Sequence, residues 1–452
     1  MMGEPVGRQD RLFYAFDLED MVPADHLLRR IDAALDLSWL RGEMAPHYSH
    51  LGCPSVCPEL MVRMLIVGYC HSIRSERRLC QEVKVNLAYR WFCGLGIEDK
   101  VPNHSTFSVN RHGRFRESDL LRKVFEDVVR GCMTAGLVGG EGFAVDASVI
   151  EANASRYQRI KGSEVDWTAE QRASRPVSEY LAALESENPP TNPVREPKAL
   201  SPSDPAAAWT TRGRAKVMFG YSLNYLIDLE RAVIVDVEAT PTRISKEVVA
   251  TATMIERTEQ RFALKPERLA GDVAYGTGAM LGWLLDHDIA PHIPVWDKSE
   301  RDDGTFSRAD FIYDAARDRY ICPGGKALTT TGRLHADNTY RYRASKRDCD
   351  ACALKPRCCP DTAARRVPRE ANEAARDHAR ALMETEAYAA SRTQRKKIER
   401  LFGEAKNVLS MVRLRLRGLT GARDEFLLTA TVQNLKRLAN HTTRPPPRPV
   451  MA

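Results

Sequence analysis

The apolar residues of this chain change their spacing at one glycine pair, Gly139 and Gly140, and this change limits the folds open to it. Before the pair, from about residue 23, apolar residues recur every three or four positions, as in amphipathic helices. Directly after it, the run GFAVDASVI at 142–150 alternates as a strand does. We therefore expect an all-α N-terminal domain followed by a domain that contains a sheet.

The patterns after this first strand alternate between strands and helices. They predict two strands around a turn, a helix, a short strand, a second helix and a last strand, at residues 219–240, 245–262, 267–276, 278–285 and 290–295. The order strand, hairpin, helix, strand, helix, strand predicts a mixed α/β sheet with helices packed against it.

These patterns divide the 452 residues into six segments. A chain of this length is expected to form structural units of ~150 residues each. The segments are a helical domain at 20–118, a linking helix at 119–141, the first part of an α/β domain at 142–296 with a polar, proline-rich surface excursion at about 157–211, a Cys-rich, loop-like insertion at 297–370, C-terminal helices at 371–440, and a tail at 441–452 that is expected to be disordered.

The sequence lacks the features of membrane and secreted proteins. No stretch approaches the ~18 uninterrupted apolar residues of a membrane span. The start, MMGEPVGRQDRLF, has no apolar segment of a secretion signal. The 11 cysteines are an odd number, which disulfides explain poorly. We expect a soluble intracellular protein with no membrane partner.

Two aspartates lie in or next to predicted strands. Asp146 lies inside the alternating run, and Asp272 ends the strand candidate in ERLAGDVAYG. Either residue alone can be a strand-end cap or a turn residue, so neither by itself indicates chemistry.

A basic helix at 391–409, SRTQRKKIERLFGEAKNVL, carries a third acid. At ~100° per residue, Arg392, Arg395, Glu399 and Lys406 fall on one face. An adjoining apolar stripe can pack on a sheet and places Glu399 at the edge of the buried side; it consists of Ile398, Leu401, Phe402, Ala405 and Leu409. An ordinary exposed helix with ion pairs has the same spacing.

Three acids brought together repel one another and raise one another's pKa unless a cation lies between them. The simplest explanation for such a triad is divalent metal, and oxygen ligands suit Mg²⁺ or Mn²⁺. Two such ions ~3.5–4 Å apart can stabilise the attacking and leaving oxygens when a phosphodiester is cut. If Asp146, Asp272 and Glu399 converge, the sequence predicts a metal site that acts on nucleic acid.

The residues of this predicted site resemble those of bacterial insertion-sequence transposases of the DDE class, which have a ribonuclease-H-like catalytic domain. Their C-terminal signature is Tyr-x2-Arg-x3-Glu-x6-Lys. Here Arg395, Glu399 and Lys406 keep its spacing, and Arg392 stands where Tyr is usual. FAVDASVIEANAS and AGDVAYG resemble the segments that carry the two aspartates. The resemblance extends from about residue 22 to about residue 439.

The resemblance implies Asp146, Asp272 and Glu399 as ligands of two Mg²⁺ or Mn²⁺ ions, and Lys406 as a contact to DNA phosphate. It implies a DNA transposase in which activated water cuts at the element ends and the freed 3′-hydroxyl attacks target DNA. It also implies a homo-oligomer in a synaptic complex on double-stranded DNA. The expected location is the bacterial cytoplasm, with nucleoid association when DNA is bound.

Positive charge is concentrated around this helix. The net charge of the whole chain is only +7, but residues 391–423 contain ten Lys and Arg against two Glu. MVRLRLRGL at 411–419 alternates Arg413, Arg415 and Arg417 with apolar residues, which predicts three guanidinium groups on one side of an extended segment. A solvated basic surface has the same composition. The predicted DNA-binding residues are Arg392, Arg395, Lys406, Arg413, Arg415 and Arg417.

The N-terminal helices are also rich in cations and aromatic residues. Short helices joined by a turn can place one helix in a major groove, so sequence-specific binding of element ends is expected there. A helical domain that mainly dimerises is the alternative. The residues concerned are Arg74, Arg77, Arg78, Lys84, Tyr89, Arg90 and Trp91.

The predicted insertion contains a group of cysteines. Cys322, Cys349, Cys352 and either Cys358 or Cys359 give the spacing C-x26-C-x2-C-x5-C or one residue longer. The close pair has the spacing of a zinc ribbon, but the remainder is irregular. Both a Zn²⁺ site and a set of free thiols fit this pattern.

Two other functions remain compatible with the sequence. A protein descended from a transposase could bind DNA without turnover, although the presence of all three acids argues against it. A metal-dependent nuclease on the same fold would cut DNA without joining it. A strand-transfer assay separates these possibilities.

Overall fold

The computed structural model describes residues 16–49, 51, 55–162, 167–186, 199–211, 217–296 and 302–442. These residues form a mixed α/β structure with a helical N-terminal region, as the pattern of periods predicts, and with two sheets where the pattern predicts one. The predicted C-terminal tail lies, from residue 443 onward, outside the described residues. None of the helices in the described ranges has the length and apolarity needed to cross a membrane.

The described part of the N-terminal region contains nine α-helices. Pro58 begins the fourth of them, where its missing N–H costs nothing, and the Asn86 and Asn103 side chains cap the sixth and seventh. The helices are α1 (Leu18–Met21), α2 (Leu27–Ala34), α3 (Leu40–Met44), α4 (Pro58–Cys70), α5 (Glu76–Val85), α6 (Leu87–Phe92), α7 (His104–His112), α8 (Arg114–Glu117) and α9 (Leu120–Thr134).

The main sheet has six strands. They are β1 (Gly142–Glu151), β2 (Ala208–Thr211), β3 (Val217–Asp228), β4 (Ile234–Pro241), β5 (Arg268–Ala270) and β6 (Ala290–His292). β1 pairs antiparallel with β3 and parallel with β5, β5 pairs parallel with β6, and β2 and β4 both pair antiparallel with β3. β1 is therefore a central strand with neighbours on both sides.

The two faces of the main sheet contribute to two hydrophobic cores. Tyr225 of β3 belongs to one core, and its neighbour Leu226 belongs to the other, because successive side chains of a strand point to opposite faces. Helices α12 (Ile244–Phe262) and α13 (Gly278–Asp286) supply apolar residues to the Leu226 core. α17 (Glu386–Asn407) and α18 (Gly418–Thr442) supply them to the Tyr225 core.

The segment predicted as a polar surface excursion contains regular structure. α10 (Ala169–Ala173) and α11 (Arg175–Ser186) lie in it, and β2 near its end joins the main sheet. A capping box at Thr168 and Gln171 begins α10. The proline-rich stretch at 187–198 lies outside the described residues.

The segment predicted as a loop-like insertion is folded, which corrects that expectation. A five-stranded antiparallel sheet forms between residues 312 and 370, and Phe311, Tyr320, Leu328, Tyr342 and Val367 are buried in it. Three of the five strands have only three residues each, too few for their alternation to be read from sequence. The elements are β7 (Ile312–Asp314), β8 (Arg319–Ile321), β9 (Ala327–Thr329), β10 (Thr339–Ala344), α14 (Lys346–Asp350), α15 (Lys355–Cys358) and β11 (Arg366–Glu370), followed by α16 (Glu373–Leu382).

The N-terminal helices and α18 share one hydrophobic core. Leu28 of α2, Val128 of α9 and Leu435 of α18 are buried in the same cluster. Helix α18 packs against α2, α4 and α9, and on its other side against β4. The helical region is therefore built onto the sheet-containing part of the chain rather than standing apart from it.

Candidate active site

The two aspartates predicted as ligands lie side by side where the pairing of β1 with β5 ends. The last paired residues are Ala144 and Ala270, and each aspartate lies two residues farther along its own strand direction. Asp146 still pairs with Tyr225 of β3. Asp272 leaves the sheet, and its Oδ1 accepts a hydrogen bond of 2.9 Å from the Ala274 N–H. The sheet thus opens between these two carboxylates.

Helix α17 crosses the sheet next to this opening and contacts β1, β5 and β6. Its apolar stripe is buried, and the Phe402 ring stacks on Tyr225 with the ring centroids 5.0 Å apart. This packing turns two cations of the helix toward β1. The Arg395 Nη1 donates to Asp146 Oδ2 at 3.2 Å, and the Lys406 ammonium donates to the Ser148 hydroxyl.

The third predicted ligand lies on the outer edge of the same helix. The Glu399 side chain is 62% exposed, and its Oε1 lies 4.0 Å from Arg395 Nη2. It is more exposed than the sequence suggested, because Ile398 and Leu401 on either side of it are the residues that enter the core. Arg395 therefore lies between Asp146 and Glu399 and contacts both carboxylates.

The electrostatic environment of Asp146 disfavours its charged form. Burial raises the pKa of this carboxyl to about 6, while the Ala147 N–H that donates to its Oδ1 at 2.8 Å lowers the pKa. Asp272 and Glu399 raise the pKa further, and Arg395 lowers it. Asp272 and Glu399 are thus close enough to act on Asp146, and an added cation would favour the ionised form of Asp146.

The donor set suits a hard divalent ion, but its present arrangement does not form a finished metal site. Three carboxylates supply the oxygen ligands that Mg²⁺ and Mn²⁺ prefer. Throughout the described ranges, however, no group of three or more His, Cys, Asp and Glu side chains is arranged so that it could hold a metal ion. Within the chain, the Arg395 guanidinium contacts both Asp146 and Glu399.

Two further residues near this site were not found from the sequence. Ser148 lies two residues after Asp146 on the same face of β1 and accepts the Lys406 hydrogen bond. Tyr275 is 2% exposed, and its hydroxyl has no hydrogen-bond partner among the described residues. Burial raises the pKa of this phenol, and Asp146, Glu247 and Asp272 raise it further. The spacing D-x2-Y in AGDVAYG was the available signal for Tyr275.

The predicted basic segment follows α17 and is not a regular extended strand: it has a turn at 411–412, one isolated bridge from Arg413 to Glu151 and a bend at 415–416. Arg413, Arg415 and Arg417 are exposed; of the apolar residues that alternate with them, Leu414 is buried, whereas Val412 is exposed. Two of these residues lie along the end of β1 and the loop after it: Arg413 Nε is 3.8 Å from a Glu151 carboxylate oxygen, and Arg417 Nε donates to the Asn153 carbonyl at 3.1 Å. Arg392 is also exposed, one turn before Arg395 on α17.

Two of the N-terminal arginines have structural roles, which corrects their prediction as groove contacts. Arg74 is 5% exposed on its side chain and forms an ion pair with Glu425 of α18. Arg90 is buried and donates to the carbonyl oxygens of residues 96, 97 and 99. Arg77 and Arg78 are exposed. The sequence does not distinguish the buried Arg74 and Arg90 from the exposed Arg77 and Arg78, because the burial of an arginine here depends on its packing against distant segments.

The cysteines of the small sheet surround one cavity. Cys322, Cys349, Cys352, Cys358 and Cys359 all line it, and none of the five forms a disulfide. The Cys322 sulfur accepts a hydrogen bond of 3.3 Å from the Lys326 N–H. As with the carboxylates, no three such side chains in the described ranges are arranged as ligands of one ion.

Two protein-family models match the chain. A transposase domain of the DUF772 type matches residues 16–113, and a transposase DDE domain matches residues 321–439. The matches identify the chain as an insertion-sequence transposase of the DDE class, and hence as a DNA transposase. The second range contains Arg395, Glu399 and Lys406, whereas Asp146 and Asp272 lie between the two ranges.

Comparisons with curated proteins and with solved structures say less about this chain than the family models do. No curated protein matches the chain. The cryo-EM structure of a piggyBac transposase synaptic complex with hairpin DNA is similar at 8% sequence identity, over 92% of this chain and 74% of that one, with a TM-score of 0.35. This score is too low to infer a shared fold.

Proposed function

We propose that this transposase cuts DNA at the ends of its element and joins them to target DNA, with Asp146, Asp272 and Glu399 holding two Mg²⁺ or Mn²⁺ ions. The observation that carries the proposal is the strand register. It brings Asp146 and Asp272 side by side at the end of the β1–β5 pairing, next to the helix that carries Glu399. When bound, the ions would supply an activated water and stabilise the leaving oxygen.

The side chains around the carboxylates support this chemistry. Lys406 reaches β1 at Ser148, two residues after Asp146, so its ammonium can neutralise a DNA phosphate bound next to Asp146. The exposed Arg413, Arg415 and Arg417 extend the basic surface toward the end of β1. We propose that these three arginines, with Arg392 and Arg395, bind the DNA backbone.

We further propose that the main sheet is of the ribonuclease-H type. In support, its path β4-β3-β1-β5-β6 combines an antiparallel three-stranded half with two parallel strands reached through helices. The helical region at 20–118 would bind element ends, through residues other than Arg74 and Arg90. A homo-oligomer in a synaptic complex and the bacterial cytoplasm complete the proposal.

The test is a strand-transfer assay with Mg²⁺ and a duplex that carries the element end. Asp146→Asn, Asp272→Asn and Glu399→Gln should each reduce cleavage and joining by roughly a thousandfold or more, because each removes a ligand charge. Glu386→Gln, an exposed acid in the first turn of α17, is the matched control and should keep both activities. Folded variants that keep cleavage would reject the assigned residues. Cleavage by the unchanged chain without joining would favour the nuclease.

We also propose that the cysteines of the small sheet bind Zn²⁺, with Cys322, Cys349, Cys352 and Cys358 as ligands. The cavity that these cysteines share supports the zinc proposal. Its volume of about 20 Å³ exceeds the ~10–15 Å³ that a water-sized particle needs. A sheet with so few buried apolar side chains also gains most from a cross-link.

Elemental analysis of the purified full chain tests this second proposal. One zinc per chain is expected, with loss of zinc in Cys352→Ser and its retention in Cys57→Ser, a partly buried cysteine of the N-terminal region. A zinc-free chain that folds and cleaves DNA would show that the cysteines are free thiols.

A further inference from the structure

Arg395 contacts the same carboxylate oxygens that a metal ion would need. Its Nη1 donates to Asp146 Oδ2 at 3.2 Å, and its Nη2 lies 4.0 Å from Glu399 Oε1. The other oxygen of Asp146, Oδ1, already accepts the Ala147 N–H at 2.8 Å. Both oxygens of this aspartate are therefore engaged by groups of the chain itself.

The contact between Arg395 and Asp146 is shielded enough to matter. The two side chains are 20% and 19% exposed, so water screens their attraction less than at an open surface. A guanidinium that donates to a carboxylate also forms a charge-assisted hydrogen bond, which is stronger than a neutral one. Glu399, at 62% exposed, is held more weakly and can change its position at low cost.

A divalent ion on Asp146 Oδ2 would conflict with this contact. Mg²⁺ binds carboxylate oxygens at about 2.0–2.1 Å, so ion and guanidinium would meet as like charges on one oxygen atom. Arg395 is on a long, flexible side chain at the solvent edge of α17, and it can move away while the helix stays packed through Phe402.

We infer that Arg395 competes with the metal for Asp146 and Glu399 and thereby sets the metal affinity of the site. This inference rests on the proposed function, because it takes these acids as metal ligands. Arg395 would be a positioning residue: it keeps the carboxylates together until an ion binds. The displaced guanidinium is then available to a DNA phosphate near the same carboxylates. Metal and DNA binding would in this way support each other.

The test is Mn²⁺ binding to the full chain without DNA, measured by electron paramagnetic resonance of the free ion. Arg395→Gln should bind Mn²⁺ roughly ten- to hundredfold more tightly, which corresponds to the net contribution of one hydrogen bond to a charged group. Arg395→Lys keeps the charge but cannot contact both acids, and should lie between the two. Lys396→Gln removes one exposed positive charge at the next position of α17 and should leave the affinity within about threefold.

Unchanged or weaker Mn²⁺ binding in folded Arg395→Gln would overturn the inference, because Arg395 would then be neutral or supportive. If Arg395→Gln does not fold, Arg395→Lys decides in the same way. If the unchanged chain cleaves DNA and both variants bind Mn²⁺ with the same affinity as the unchanged chain, the inference is overturned and the proposed function stays intact. A parent chain that binds no Mn²⁺ and cleaves no DNA would overturn both.

Discussion

Charged residues behave differently in two regions of this molecule. Where the N-terminal helices meet α18, Arg74 and Glu425 form a pair whose side chains are 5% and 2% exposed. On the β1 face of α17, Arg395 and Asp146 are more exposed, at 20% and 19%, and Glu399 is mostly in water. A fully buried pair can lose a partner only at high cost, whereas charges that reach solvent at one edge can exchange partners. An arginine-rich sequence is therefore not by itself a DNA-binding surface.

Removing a buried partner should have the largest effect on stability. Arg74→Ala should lower the free energy of unfolding by about 3–5 kcal/mol, because Glu425 is left without its counter-charge. Urea unfolding followed by circular dichroism measures this change. Arg78→Ala, whose side chain is 69% exposed and pairs with Glu82 on the same helix, should change stability by about 0.5 kcal/mol or less. Equal effects of the two substitutions would remove the contrast between the regions.

A buried acid near the start of α18 should give the next largest effect, as a dependence of stability on pH. Asp204 Oδ1 accepts from the Tyr221 hydroxyl at 2.5 Å and from the Gly418 N–H at 3.2 Å. Burial raises the pKa of Asp204 from 3.8 to about 6, although these donors and the cations Arg417 and Arg175 lower it.

The folded chain therefore holds this proton more tightly than the unfolded chain does. The contribution of Asp204 to stability is fully present below about pH 4 and is lost as pH rises to about 6, by up to about 3 kcal/mol for two pKa units. In Asp204→Asn, the free energy of unfolding should lack this part of its decrease between pH 4 and pH 7. The variant Asp361→Asn, at an exposed position, should retain it. Parallel pH profiles for Asp204→Asn and the unchanged chain would contradict the prediction.

The exposed arginines should have the smallest effect on stability and act on DNA binding instead. Replacing Arg413, Arg415 and Arg417 together by Ala should weaken binding to duplex DNA by about tenfold or more at low salt. It should also reduce the salt dependence of log K by about 1 for each phosphate that an arginine no longer neutralises. Fluorescence anisotropy across a salt series measures both.

The matched control removes three exposed arginines from the small sheet, Arg317, Arg333 and Arg366, and so makes the same change in net charge. This control should retain the salt dependence. If both triple variants lose affinity equally, the effect is that of overall charge, and the segment after α17 has no special part in DNA binding.

The long periodic elements could be predicted from the sequence, but the contacts between them could not. The alternation in β1 and the apolar stripe of α17 each indicate their own structure, since burial imposes the period. β5 has only three residues, Arg268–Ala270, and its register with β1 joins positions far apart in the chain. The adjacency of Asp146 and Asp272 therefore came from the resemblance to a family and not from any local pattern.

The same limit explains the features that sequence patterns did not reveal. Arg74 and Arg415 each follow an aliphatic residue, yet Arg74 pairs with Glu425 inside the protein and Arg415 is exposed. The small sheet was missed because three-residue strands such as β7 and β8 carry no readable period. The part played by Asp146, Asp272, Glu399 and the cysteines stays a prediction until the variants are measured.

The shared core of the N-terminal helices and α18 has a consequence for protein synthesis. Leu28 and Val128 find part of their apolar cover on residues after Gly418. A nascent chain that has not reached this helix exposes those surfaces, and the helix that carries Glu399 lacks one of its supports. The packing around α17 is therefore completed only after α18 has been synthesised, and a translation product that stops before Gly418 lacks this support.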